Sequence, residues 1–308
     1  MSSYLVTGGA GFIGSHLSAE LLKRGHKVRV ADNFATGYRH NLRDGVELLE
    51  VDLADPAAAR RAVEGIDYVL HQAAIPSVPR SVANPVESHR ANVDGTLNML
   101  VASKDAKVKR LVFAGSSSVY GDTPTLPKRE DMPHNPLSPY ALHKQLGEQY
   151  AQMFTRLYGF ETVTTRYFNV FGPRQDPTSP YSGVISLFIK ALIDGTPPVI
   201  YGDGGQTRDF TYVGNVVDGV LRAAETPAAS GEVFNVATST RVSLNELLDT
   251  LRKIIGSDVQ PIYKDVRAGD VRHSQADINK AKQVLGYQPK VGLEEGLRET
   301  VAWYRSQA

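Results

Sequence analysis

"TGGAGFIG" occupies residues 7–14, behind the short β-rich run "YLV" and directly ahead of "FIGSHLSAELLKRG" (12–25). In the second stretch apolar residues recur at helical spacing until Gly25 stops them. The order is therefore strand, glycine turn, helix. Gly8, Gly11 and Gly14 stand where a tight turn, close approach to a pyrophosphate and close packing of helix on strand each ask for glycine. The first helical residues, Phe12 and Ile13, belong to the same end, because the backbone N–H groups that open a helix point at anions.

Working outward, "KVRVAD" (27–32) is a second strand that ends on Asp32, 18 residues after Gly14. A carboxylate there can accept from adenosine ribose hydroxyls and repels a 2′-phosphate, which favours NAD over NADP. "NFATGYRHNL" (33–42), with Asn33, Thr36 and Gly37, can wrap the adenosine side. "GVELLEVDL" (45–53) reads as a third strand ending in Asp52 and Leu53, and Asp52 can accept from the adenine amino group. After the helix "ADPAAARRAVEG" (54–65), a fourth strand ends in "HQAA" (71–74), where the small Ala73 and Ala74 would let the backbone approach the cofactor. His71 reads as a packed, satisfied strand-end histidine, and Gln72 adds a polar group whose purpose the sequence does not give.

Farther on come a long helix at 83–104, a strand at 109–118, a helix at 138–159 and a strand at 161–170. Alternating strands and helices need crossovers, so the pattern predicts an α/β fold with a doubly wound parallel sheet. Past residue 168 loops rich in Gly and Pro take over, and "GEVFNVA" (231–237) reads as a strand returning to the first sheet. The expected units are a dinucleotide-binding domain at 1–168, rejoined by about 211–237, and a smaller, discontinuous α/β substrate domain within 169–308.

Composition narrows the partners. The 308 residues are 42% hydrophobic and 22% charged, with a formal net charge of +1, which is no nucleic-acid footprint. There are no cysteines, so disulfides, thiolate metal sites and cysteine nucleophiles are excluded. No apolar run approaches the roughly 20 residues of a membrane helix. No signal-like segment precedes the first strand, so a cytoplasmic location is expected, with neither metal nor membrane involved.

The chemistry is expected where strand five ends, in "AGSSSVYG" (114–121), and in "SPYALHKQLG" (138–147). Tyr140 and Lys144 are four residues apart and leave the same helical face. An unperturbed tyrosine has a pKa of about 10 and is a poor base at neutral pH. A nearby ammonium and an oxidised nicotinamide cation both favour the phenolate. Ser116, with Ser117 beside it, can hold a substrate hydroxyl while Tyr140 takes its proton, which is general base catalysis coupled to hydride loss.

With "TGGAGFIG", "DNFATG", "SSSVYG", "SPYALHK", "RYFNVFGPRQDP" and "RDFTYV" in order, the chain resembles an extended short-chain dehydrogenase/reductase of the UDP-galactose (UDP-hexose) 4-epimerase type. The resemblance implies a Rossmann fold, NAD as cofactor, a UDP-sugar as substrate and a homodimer through the helices at 83–104 and 138–159. It also assigns Asn92 and Tyr167 to the cofactor. Asn169 would contact the sugar diphosphate, "VIYGDG" (199–204) would cover uracil with Val199 and Tyr201, and Arg208 and Arg267 would neutralise the diphosphate, with Asp270 nearby. No carboxylate lies in "SSSVYG", so the dehydratases' and decarboxylases' usual acid is missing. Ser274 falls where glucose/galactose-restricted epimerases carry a bulky aromatic, and leaves room for a 2-acetamido group. "SVPRSV" (77–82) and "FNVFGPRQDP" (168–177) are similar to bacterial epimerases that prefer UDP-N-acetylated hexoses. The expectation is UDP-GlcNAc/UDP-GalNAc 4-epimerisation through a 4-keto sugar, with UDP-Glc/UDP-Gal as second pair. The alternatives are a UDP-Glc/UDP-Gal-restricted enzyme, a UDP-GlcA 4-epimerase, a net oxidoreductase releasing a keto sugar, and a non-catalytic nucleotide-sugar sensor.

Overall fold

The computed structural model describes residues 1–177, 183–266 and 271–307. Strands β1 (Ser3–Thr7), β2 (Lys27–Asp32) and β3 (Glu47–Glu50) are joined by α1 (Phe12–Lys23) and a loop, and α2 (Pro56–Ala62) leads to β4 (Tyr68–His71). Helices α3 (Val78–Ala83), α4 (Pro85–His89) and α5 (Gly95–Asp105) precede β5 (Arg110–Ser116), and α6 (Pro139–Tyr158) precedes β6 (Thr162–Tyr167). Then follow β7 (Val170–Phe171), α7 (Val184–Ile193), β8 (Val199–Tyr201), β9 (Thr207–Arg208), β10 (Thr211–Tyr212), α8 (Val213–Glu225) and β11 (Val233–Val236). The last elements are β12 (Val242–Ser243), α9 (Leu244–Ile255), β13 (Ile262–Lys264), α10 (Asn279–Leu285) and α11 (Leu293–Gln307).

Seven strands form one parallel sheet in the order β11-β6-β5-β4-β1-β2-β3. This is the doubly wound architecture that the alternating pattern predicts. Both faces are covered, so the middle of β1 is apolar on both sides: Tyr4 and Val6 join the core under α1 and α8, while Leu5 joins the core under α2, α5 and α6. The chain winds outward one way from β1 and the other way from β4. The crevice beyond the carboxyl ends of these two strands is the topological switch point, where such sheets bind ligands.

Two elements differ from the sequence reading. The expected single helix at 83–104 is α4 and α5 joined by a widened π stretch, Arg90–Asp94, and α3 precedes them as a separate turn. Pro85 cannot continue α3, and the Asn84 side chain caps α4 by accepting from Glu87 N at 3.2 Å. The strand expected at 161–170 leaves the sheet after Tyr167, because Asn169 turns the chain with a φ of 32°. β7 then pairs with β10 instead.

α8 and β11 return to the main sheet, where β11 pairs with β6. Ala276, Ile278, Ala281, Leu285 and Tyr287 also pack into the core under α1 and α8. A separate core holds α7, α9 and α11 together through Phe188, Ile189, Leu247, Leu251, Leu297 and Val301, and reaches Phe12 and Ile13 at the start of α1. Among the described residues no helix is long and apolar enough to cross a membrane, and no group of three or more acidic or His side chains is set to hold a metal ion.

Candidate active site

One cavity of about 1210 Å³ runs along the carboxyl edge of the sheet. It exceeds the roughly 300–1,000 Å³ of an ordinary small-molecule site, which suits two ligands lying end to end. Most of the sequence-predicted residues meet there. Gly8, Gly11, Phe12, Ile13, Gly14, Asp32, Asn33, Thr36, Asp52, Leu53, Gln72, Ala73, Ala74 and Tyr167 line it together with Ser116, Ser117, Tyr140, Lys144, Asn169, Arg208 and Ser274.

The glycine turn is built for a dinucleotide. Gly8 has a φ of 66°, and a Cβ on it would sit 2.8 Å from the Ala73 backbone, so the turns after β1 and β4 touch only because residue 8 is glycine. Asp32 is nearly buried, and its carboxylate accepts from Ala10 N at 2.9 Å and from Phe34 N at 2.8 Å. It is thereby fixed at the mouth of the glycine turn. These residues fit an NAD adenosine diphosphate: an open helix start for the phosphates and an oriented acceptor for the ribose. Asp52 also faces the cavity, but its Oδ2 is paired with Arg90 at 2.7 Å and its Oδ1 accepts from Ala54 N.

At the other end, Ser138 caps α6 by accepting from Ala141 N, and Ser81 Oγ accepts from Tyr140 N at 3.0 Å. A Cβ on Gly147 would lie 2.4 Å from the Phe113 ring, so the helix lies tight on β5. The buried Arg166–Glu148 pair, 2.6 Å apart, ties α6 to β6 as well. Lys144 Nζ donates to the Ala114 carbonyl at 2.9 Å. Burial pulls its pKa down to about 8. Burial pushes the Tyr140 phenol up, against a smaller opposing effect of the Ser116 hydroxyl. Ser116 Oγ accepts from Ser118 Oγ at 2.8 Å, which orients it toward the cavity side of the strand end. Tyr167, raised to about 12 by burial, remains a phenol and donates to Gln72 Oε1 at 2.9 Å.

Several expected residues are placed elsewhere. Gly37 does not line the cavity but packs against Ala10. Asn92 does not line the cavity; its amide bonds both the N–H and the carbonyl of Ile75 and holds the chain after β4 against the π stretch. Val199 and Tyr201 lie outside the cavity lining, in β8, which pairs with β13. Arg267 and Asp270 fall outside the described residues. His71 is buried between Thr7 and Thr96, at 2.8 and 3.1 Å, and burial lowers its pKa to about 3, as a packed, neutral histidine. The sequence reading did not assign the cavity residues Ile75–Pro79, Arg174, Gln175, Asp176 and His273 to it. Their advance signals are the runs "SVPRSV" (77–82), which holds Ser77, Val78 and Pro79, and "FNVFGPRQDP" (168–177), whose Arg174, Gln175 and Asp176 line the cavity from a loop rather than a strand end.

This arrangement, a switch-point dinucleotide cradle continuous with a Ser–Tyr–Lys group, defines a nicotinamide-dependent enzyme of the short-chain dehydrogenase class. Residues 4–237 match the NAD dependent epimerase/dehydratase family, and the chain belongs to it. It is 41% identical over 98% of both chains to the putative UDP-glucose 4-epimerase of Methanocaldococcus jannaschii. The crystal structure of UDP-glucose 4-epimerase from Thermotoga maritima, with UDP-glucose, superposes with a TM-score of 0.96 at 39% identity, covering 99% of each chain. The UDP-N-acetylglucosamine 4-epimerase of Methanobrevibacter ruminantium, in complex with UDP-N-acetylmuramic acid, also gives 0.96, at 40% identity over 100% of this chain and 99% of that one.

Proposed function

We propose that this NAD-dependent nucleotide-sugar 4-epimerase acts chiefly on UDP-GlcNAc and UDP-GalNAc, with UDP-Glc and UDP-Gal as its second pair. The observation that carries the choice of sugar is Ser274. It lines the cavity, its N–H bonded to Thr207 O at 3.0 Å, and its small side chain leaves volume where an acetamido group can sit. The relatives differ in the sugar they are named for, so identity near 40% leaves this choice to the pocket.

Tyr140 removes the proton from the sugar 4-hydroxyl, and Ser116 holds that hydroxyl in line. Lys144, fixed on Ala114, keeps positive charge beside the phenol and favours its ionised form. What NAD supplies when bound is reversible acceptance of the C4 hydride. UDP would stay anchored through Asn169 and Arg208 while the 4-keto sugar turns, so that hydride returns from the bound reduced cofactor to the opposite face of C4 while Tyr140 returns the proton to O4. Arg208 fits because a guanidinium matches phosphate oxygens. Asp32 selects NAD over NADP. The substrate unit within 169–308 covers the sheet-bound dinucleotide half.

The assembly we propose is a homodimer through α4–α5 and α6. Val86 on α4 and Leu157 on α6, at 78% and 66% exposure, stand out on these helices, α6 also exposing Leu142 and Met153, and the adjoining α3 exposes Val82 at 62%. Together they form an apolar surface that a lone chain would leave wet. Light scattering should give twice the chain mass.

The test of the sugar assignment is kcat/KM on UDP-GlcNAc, UDP-Glc and UDP-GlcA. The acetamido sugar should be the best of the three. A wild-type enzyme inactive on UDP-GlcNAc would move the assignment to UDP-Glc/UDP-Gal, and activity on UDP-GlcA alone would reject both pairs.

A further inference from the structure

The loop after β7 carries a cation with no anion partner among the described residues. Arg174 lines the cavity, and its Nη1 is shut off from solvent with no hydrogen-bond partner. Its backbone lies in the left-handed region, with a φ of 66°, which a non-glycine residue holds only at a cost. Among the described residues no carboxylate forms an ion pair with Arg174. Burial disfavours its charge, and so does Arg43 nearby; Arg174 in turn helps to keep the neighbouring His16 neutral. A half-buried guanidinium with an unpartnered, solvent-excluded Nη1 and a second arginine nearby is a costly arrangement unless an anion completes it.

The loop is fastened to the dinucleotide half of the fold. His16, kept neutral by burial, donates from Nε2 to the Pro173 carbonyl at 2.9 Å. Tyr38 OH donates to Asp176 Oδ2 at 2.6 Å. Tyr38 itself sits on the glycine turn, donating from its N–H to Ala10 O at 3.0 Å. Arg174 is thus held between α1 and the loop that follows Asp32, facing the same cavity wall as Gly11 and Phe12.

We propose that Arg174 binds the diphosphate of the dinucleotide, completing from the second half of the chain the anion site that the α1 N-terminus opens from the first. The residue supplies the charge that the glycine turn lacks, and guanidinium geometry suits two phosphate oxygens at once. The tethers through Pro173 and Asp176 then make the loop a clasp that slows cofactor release. The same cavity must also hold a UDP diphosphate. The neighbours of Arg174, His16 on α1 and Arg43, place it on the dinucleotide side, whereas Arg208 bonds Arg272 O and Ser274 bonds Thr207 O within the second half of the chain. The inference rests on the family's use of NAD and is independent of which sugar is epimerised.

The experiment measures equilibrium binding of NAD, ADP-ribose, adenosine and UDP to cofactor-stripped wild type, Arg174→Met and Arg174→Lys. A hydrogen bond from a charged group is worth about 1.5–3 kcal/mol, or roughly a tenfold to a hundredfold change. Arg174→Met should weaken NAD and ADP-ribose by that factor and leave adenosine and UDP within about twofold. Arg174→Lys should recover part of the loss, and it reads the same ratio if the methionine variant does not fold. Unchanged NAD binding, a loss specific to UDP, or an equal loss for all four ligands would overturn the assignment.

Discussion

Lys144 is anchored on Ala114, not on Tyr140: its ammonium lies 2.9 Å from the Ala114 carbonyl and 6.0 Å from the centre of the Tyr140 ring. The strand end therefore sets where the positive charge sits, and helix α6 brings the phenol to it. Burial alone would keep Tyr140 protonated. The role proposed for it as a base would depend on positive charge gathered around it when the cofactor is bound.

Tyr140→Phe removes the proposed base and keeps the ring. General base catalysis typically contributes 10²–10⁴-fold. A kcat loss of about that size is expected, with UDP-sugar affinity largely kept. Steady-state kinetics beside UDP binding checks it, and near-wild-type turnover would strip Tyr140 of its role.

Asp32 both faces the cavity and bonds Ala10 and Phe34 through its two oxygens. Asp32→Ala should weaken NAD binding and relax discrimination against NADP, since the repelling charge is gone. Asp32→Asn, which keeps an acceptor for the turn, should lose discrimination with a smaller loss of NAD affinity. Tighter binding of NADP than NAD by the wild type would contradict the role given to this carboxylate.

Ser274→Tyr should fill the space proposed for the acetamido group. Overpacking a fitted site commonly costs 1–3 kcal/mol, roughly 5- to 150-fold in kcat/KM. UDP-GlcNAc and UDP-GalNAc should lose that much, and UDP-Glc and UDP-Gal much less. Equal losses on all four substrates would show that this position does not gate the pocket.

His71 is buried and neutral, with a folded pKa of about 3 against an ordinary 6.5. The unfolded chain binds the extra proton between those values, so the contribution is complete above pH 6.5 and is lost as pH falls toward 3. The slope is at most about 1.4 kcal/mol per pH unit. Denaturation at pH 7 and pH 5 should show wild type losing up to about 2 kcal/mol more than His71→Gln, which can still bond Thr7 and Thr96 but does not titrate. Identical losses would mean that His71 is not the acid-sensitive group.

The parallel sheet and its glycine turn were legible because they are local: strand, Gly8–Gly14, helix and Asp32 lie within 30 consecutive residues, from Ser3 to Asp32. Tyr140 and Lys144 were legible for the same reason, as a helical spacing. The clasp was not, since Tyr38 and Asp176 are 138 positions apart and neither announces the other. The bonding of Asn92 to Ile75 was not legible either, because nothing in the sequence reveals that the helix widens at Arg90–Asp94 and turns the amide onto Ile75. Val199 and Tyr201 are assigned to the substrate by resemblance; they lie in β8, paired with β13 and outside the cavity lining, a placement no local sequence pattern gives.

The most direct measurement is a proton NMR time course of UDP-GlcNAc, and separately UDP-GalNAc, incubated with the purified enzyme in deuterated water. Both samples should approach one common equilibrium mixture, with hydrogen at C4 retained and no accumulation of reduced cofactor. Failure to interconvert the two sugars, deuterium at C4, or release of a keto sugar with stoichiometric reduced cofactor would contradict hydride-mediated 4-epimerisation of these substrates.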